Sequence, residues 1–143
     1  MKQIVVTRVL TAAEVNALDN TVEQPIVSGI AGKVLKFRYA FFAKRSGTAV
    51  GSATTETLKI VYAGDTTALG VVGNSDLTAI LGTGASASAY LTHSANATTA
   101  ISATTAIAKG TGISLLGATG GGIASFDGTL QVTIVCDPLD LQG

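Results

Sequence analysis

Apolar and polar residues alternate along most of the chain, the period of β-strands that bury one face. The clearest case is residues 33–43, where Leu35, Phe37, Tyr39 and Phe41 fall on one face and Lys36, Arg38 and Ala40 on the other. This reads as a half-buried antiparallel strand. Residues 57–63 repeat the pattern with Leu58, Ile60 and Tyr62, and residues 110–116 with Ile113 and Leu115. A strong turn signal, Asp127-Gly128, leads into residues 130–136, where Leu130, Val132, Ile134 and Cys136 alternate and Asp137-Pro138 ends the run. The first segment, residues 2–10, is rich in β-formers: Ile4, Val5, Val6, Thr7 and Val9.

One stretch breaks the alternation. Thr11-Ala12-Ala13-Glu14 is a capping box, and Val15 and Leu18 follow three apart, which predicts a short helix over 12–18 ended by Asp19-Asn20. Residues 23–27 read as a short strand or extended arm, with Pro25 favouring an edge. Turns are expected at 29–32, 45–48 and 63–65, shorter apolar runs at 68–72 and 77–81, and a glycine loop at 117–122. Residues 83–108 are dominated by Ala, Ser and Thr, and we expect strands of small residues around Tyr90-Leu91 and over 101–107. Together these are about eight short strands and one short N-terminal helix, the signature of an all-β sandwich or barrel. At 143 residues the chain makes one domain with room for a core that needs no staples. We divide it into an N-terminal arm with the short helix, residues 1–27, and a β-sandwich domain, residues 28–143.

Composition narrows the function. Charged residues make up 13% of the chain, against about 25% in an average soluble domain, so few side chains are available for acid–base or metal chemistry. Nine Lys and Arg balance nine Asp and Glu, which argues against nucleic acid as the main partner. Low charge at zero net charge is a solubility hazard that an oligomer relieves. The densest basic stretch, Lys33, Lys36, Arg38, Lys44 and Arg45, reads as a solvated strand face or a contact with an acidic partner. The single cysteine, Cys136, excludes an intrachain disulfide and suits a buried thiol. No signal-peptide pattern opens the sequence and no apolar run approaches a membrane span, so we expect synthesis in a cytoplasm and no membrane partner.

Catalytic patterns are missing from the sequence. Gly82-Thr83-Gly84 and Gly110-Thr111-Gly112 each lack the third glycine of a dinucleotide loop. His93 has no neighbouring ligand for zinc and no nucleophile elbow to serve. Asp137 with Asp140, and Glu56 with Asp65, read as solvated turn carboxylates. Asn96-Ala97-Thr98 is formally a glycosylation sequon, without meaning in a cytoplasmic product. We expect no enzyme and no cofactor.

Four stretches, taken as an ordered set, resemble the small single-domain structural proteins of tailed bacteriophages. They are Leu10-Thr11-Ala12-Ala13-Glu14-Val15-Asn16-Ala17-Leu18, Gly32-Lys33-Val34, Leu58-Lys59-Ile60-Val61-Tyr62-Ala63-Gly64, and Phe126-Asp127-Gly128-Thr129-Leu130-Gln131-Val132. The chain departs from that group at Cys136-Asp137-Pro138, where the last strand more often ends in an aromatic. The resemblance implies a jelly-roll-like β-sandwich, a homotrimer, and a place on the capsid exterior as a decoration (cement) protein bound to the major capsid protein. On that reading the expected capsid contacts are Ile4, Val5, Val6 and Arg8 of the first segment, Pro25, and Lys36 and Arg38 of the basic strand. The alternative is a host- or glycan-binding module of a tail or head fibre, for which Tyr62, Tyr90 and Phe126 are the candidate exposed aromatics.

Overall fold

The computed structural model describes residues 2–46, 56–73, 77–78, 80–81, 88–92, 109–123 and 126–140. Eight strands and one helix follow in order: β1 (Ile4–Leu10), α1 (Ala12–Asn16), β2 (Glu23–Val27), β3 (Lys33–Ser46), β4 (Leu58–Tyr62), β5 (Gly70–Val72), β6 (Ser88–Thr92), β7 (Ile113–Gly117) and β8 (Thr129–Asp140). Strands of the first half pair antiparallel with strands of the second half in reverse order: β1 with β8, β2 with β7, β3 with β6, and β4 with β5. β8 also pairs with β3, and β7 with β4. The result is two four-stranded sheets, β1-β8-β3-β6 and β2-β7-β4-β5. Folding a long antiparallel ribbon over itself in this way makes a jelly roll, so the fold class expected from the sequence holds.

The inward faces of the two sheets supply the core, with Leu35, Phe42, Ile60, Leu115, Leu130 and Ile134 all buried. The segment set apart as an arm belongs to this body. β1 completes one sheet and β2 the other, and Leu10, Val15, Leu18, Ile26 and Val27 are buried in the core. These apolar positions need the sandwich interior, which is why the chain shows no structural break at residue 27.

The capping box forms as read. Glu14 N–H donates to Thr11 Oγ1 at 3.2 Å, and Thr11 N–H donates to Glu14 Oε1 at 3.1 Å. The helix stops at Asn16, with Ala17 as its C-cap, two residues short of the expected end. Asn16 then clamps the backbone of Phe126, donating to its carbonyl at 2.7 Å and accepting from its N–H at 3.1 Å. Asp19 closes the following turn by accepting from Thr21 and Val22.

Three local expectations are corrected. In β3, Phe37 pairs with Cys136 but Tyr39 with Val135, so Arg38 is the extra residue of a β-bulge. A single inserted residue reverses the alternation. Leu35 and Phe37 point inward before it, whereas Ala40 and Phe42 do so after it, and Phe41 turns out to 37% exposure. Lys44 is carried inward by the same shift. It is fully buried rather than solvated, donating from Nζ to the Leu81 carbonyl at 3.2 Å, 5.9 Å from the centroid of the Phe126 ring. Within residues 77–81, the described positions 77, 78, 80 and 81 are helical, with Leu77, Ile80 and Leu81 buried. β8 runs on through Pro138 to Asp140. Its ladder with β1 ends at Cys136, so beyond that point, among the described residues, β8 has β3 alone beside it and the missing proline N–H is tolerated. The strand expected over 101–107 lies outside the described residues.

Candidate interaction face

The outer face of the β1-β8-β3-β6 sheet is the most unusual surface of the described residues. Alternation along β1 sends Val5, Thr7 and Val9 outward, with Val5 62% and Val9 51% exposed. The registers with β8 and β3 extend each of these into a row across the sheet. Val5 lies beside Val135 and then Tyr39, Thr7 beside Thr133 and then Phe41, and Val9 beside Gln131 and then Ala43. On β6 the same rows reach Thr92, Tyr90 and Ser88. Thr7 and Thr133 share a hydroxyl hydrogen bond of 2.9 Å. The three rows contain no charged residue; Val5, Val9 and Phe41 are their exposed apolar side chains, Val135 and Ala43 are buried, and Thr7, Thr133 and Gln131 stand between them. An uncharged face that exposes three large apolar side chains marks a contact surface more often than bare solvent.

The residues expected to make contacts divide between this face and other places. Val5 stands on it. Ile4 and Val6 turn the other way and pack half-buried against the core. Arg8, also half-buried, reaches across the lateral opening of the sandwich, pairing with the Glu14 carboxylate and donating to the Pro25 carbonyl. The structure thus brings Arg8 and Pro25 together as a clasp between β1 and β2. The hydrogen bond from the Thr11 N–H, and after it the Arg8 charge, hold the Glu14 carboxyl below its ordinary value. Lys36 is exposed near the other end of β3, and Arg38 pairs with Asp137 at 3.5 Å. Lys33 pairs with Asp140 at 3.0 Å, so the basic stretch is partly neutralised by β8.

Sequence reasoning missed Phe41, Tyr39 and Val9 on this face. Val9 was legible from its alternation with Val5. Phe41 and Tyr39 were hidden by the bulge at Arg38, which has no signature of its own in the sequence.

Elsewhere the polar groups build structure. Glu56 is fully buried, not a solvated turn residue. Its carboxylate accepts from the N–H groups of Thr57, Ala118, Thr119 and Gly122 and from the Thr119 hydroxyl, at 2.8–3.2 Å. It thereby organises the glycine loop after β7. Gly117, at the start of that loop, passes so close to Asp19 that a Cβ would lie 2.6 Å from the Asp19 Cα. Cys136 is buried, and desolvation, aided by the Asp137 charge, pushes its thiol up to about 11. Tyr62 and Phe126 are buried as well, at 6% and 2% exposure, and so are removed as sugar-stacking candidates. Tyr62 donates to the Leu35 carbonyl at 2.6 Å. An open cleft of about 380 Å³ on the other sheet is lined by Thr57, Thr66, Thr67 and Lys59 with small apolar residues, and no aromatic lines it.

Among the described residues no group of His, Cys, Asp and Glu could hold a metal ion, and no helix is long and apolar enough to cross a membrane. His93 and Asn96-Ala97-Thr98 lie outside the described residues. No family model, curated protein or solved structure matches the chain.

Proposed function

We propose that this protein is a structural subunit of a phage virion, a decoration protein that stabilises the capsid by bridging capsomers as a homotrimer. One observation carries the reading: on a jelly roll, three neighbouring rows of one sheet's outer face expose Val5, Val9 and Phe41 and contain no charged residue. Burial of such a face against a shell supplies binding energy in proportion to the apolar area covered. The ordered set of motifs shared with phage structural proteins supports the virion setting and the trimer. The low charge of the chain fits a subunit that spends its working life in an assembly.

The function is mechanical on this reading. A subunit seated across a capsomer junction adds contact area that must be broken before the capsomers part. The test is quantitative mass spectrometry of gradient-purified virions from the source of the chain. A copy number in fixed ratio to the major capsid protein, and of its order, is the expected result. A handful of copies would move the subunit to a tail or fibre, and absence from the particle would overturn the proposal.

A further inference from the structure

A sheet edge is a row of unpaired N–H and C=O groups, and proteins usually blunt it. The edge β2 carries Pro25 and a register shift between Pro25 and Val27. The edge β5 is only three residues long. β1 has neither device. It runs seven residues in unbroken register with β8 and bears valines, not charges, on its outer face. The one charge on its inner face, Arg8, is neutralised by Glu14.

The outward side chains of β1 are also symmetric in sequence. Val5, Thr7 and Val9 read the same in both directions. We propose that β1 is a homotypic pairing edge, on which a second copy of this chain lays its own β1 antiparallel about a two-fold axis at Thr7. Val5 then faces the partner's Val9, Thr7 faces the partner's Thr7, and both β-branched pairs are favourable cross-strand neighbours. On the inner face half-buried Ile4 lies opposite the partner's Leu10, and half-buried Val6 opposite the partner's Arg8, whose charge stays paired with Glu14. Such a contact is isologous and closes on itself. It joins the two β1-β8-β3-β6 sheets into one and doubles the apolar face. The inference stands independently of the virion reading, and a trimer would make its three-fold contacts through another surface.

The pairing is tested by single-cysteine cross-linking of the full chain. Directly opposed Cα atoms in antiparallel strands lie about 4.5 or 5.5 Å apart, both within the disulfide range of about 4.4–6.8 Å. Val5 and the partner's Val5 are offset by about 13 Å along the strand and out of reach. The native Cys136 is buried and does not compete. Under mild oxidation Thr7→Cys is expected to form a covalent dimer about tenfold faster than Val5→Cys alone, and a mixture of Val5→Cys with Val9→Cys to form it as readily as Thr7→Cys. All three positions are exposed, so the variants keep the fold, which thermal unfolding verifies. Absence of dimer for Thr7→Cys overturns the proposal, as does equal cross-linking by every variant. Protection of Thr7→Cys only when virions or capsid protein are added would assign the edge to a foreign strand and overturn it too.

Discussion

Glu56 shows how much one side chain can organise. A carboxylate with no solvent contact is stabilised only by the donors turned toward it, here the backbone of the loop over 118–122. Replacing it with alanine leaves those buried N–H groups without an acceptor. Glu56→Ala is expected to cost about 3 kcal/mol in urea unfolding, and Glu56→Gln, which keeps an acceptor oxygen, clearly less. Cys136 gives a pH signature. The folded protein holds the thiol proton more tightly than the unfolded chain does, so the associated stability is whole below the ordinary thiol value and is lost as pH rises from 9 toward about 11. The thermal midpoint should therefore fall over that window, and Cys136→Ala should flatten the fall. A part remains at higher pH because burial, and then the Cys136 charge, also raises Tyr62.

At the scale of elements, β3 teaches the most. Its period of two was plain in the sequence, but one extra residue at Arg38 exchanges the faces of residues 39–44, up to a second register shift before Ser46. Phe42→Ala is expected to cost about 3–5 kcal/mol because Phe42 lies in the core. Phe41→Ala should cost about 1 kcal/mol or less, since Phe41 is partly open to solvent. Denaturant unfolding of the two variants would invert these costs if the strand ran without the bulge. The capping box was legible because its two hydrogen bonds involve residues three apart, and Thr11→Ala should cost about 1 kcal/mol. β8 was legible through Leu130, Val132, Ile134 and Cys136, although its true end depends on where β1 stops. The exposed position of Phe41 and the burial of Lys44 follow from ladder register, a long-range property that local periodicity does not carry. The apolar face was thus half readable: Val5 and Val9 from alternation, Tyr39 and Phe41 only from the fold.

For the whole molecule, the decisive fact is that the first segment is part of the body. β1 forms one edge of its sheet, Arg8 clasps it to β2, and Leu10 reaches full burial. Deletion of residues 2–10 should therefore abolish cooperative thermal unfolding rather than release a trimmed but stable sandwich. Far-UV circular dichroism through a melt distinguishes the two outcomes, and a sharp transition in the truncated chain would restore a detachable arm.

The pairing of the first strand with the last also governs how the protein comes into being. Thr7 meets Thr133, a partner 126 residues downstream. At a synthesis rate of about 5–20 residues per second, β1 leaves the ribosome on the order of ten seconds before its ladder partner exists. β1 must wait unpaired while β4 can already meet β5 and β3 can meet β6, and the sandwich closes only after β8 is made. Closure is therefore slow, as contacts of long sequence separation require. During that interval the apolar β1 is the segment most in need of a chaperone.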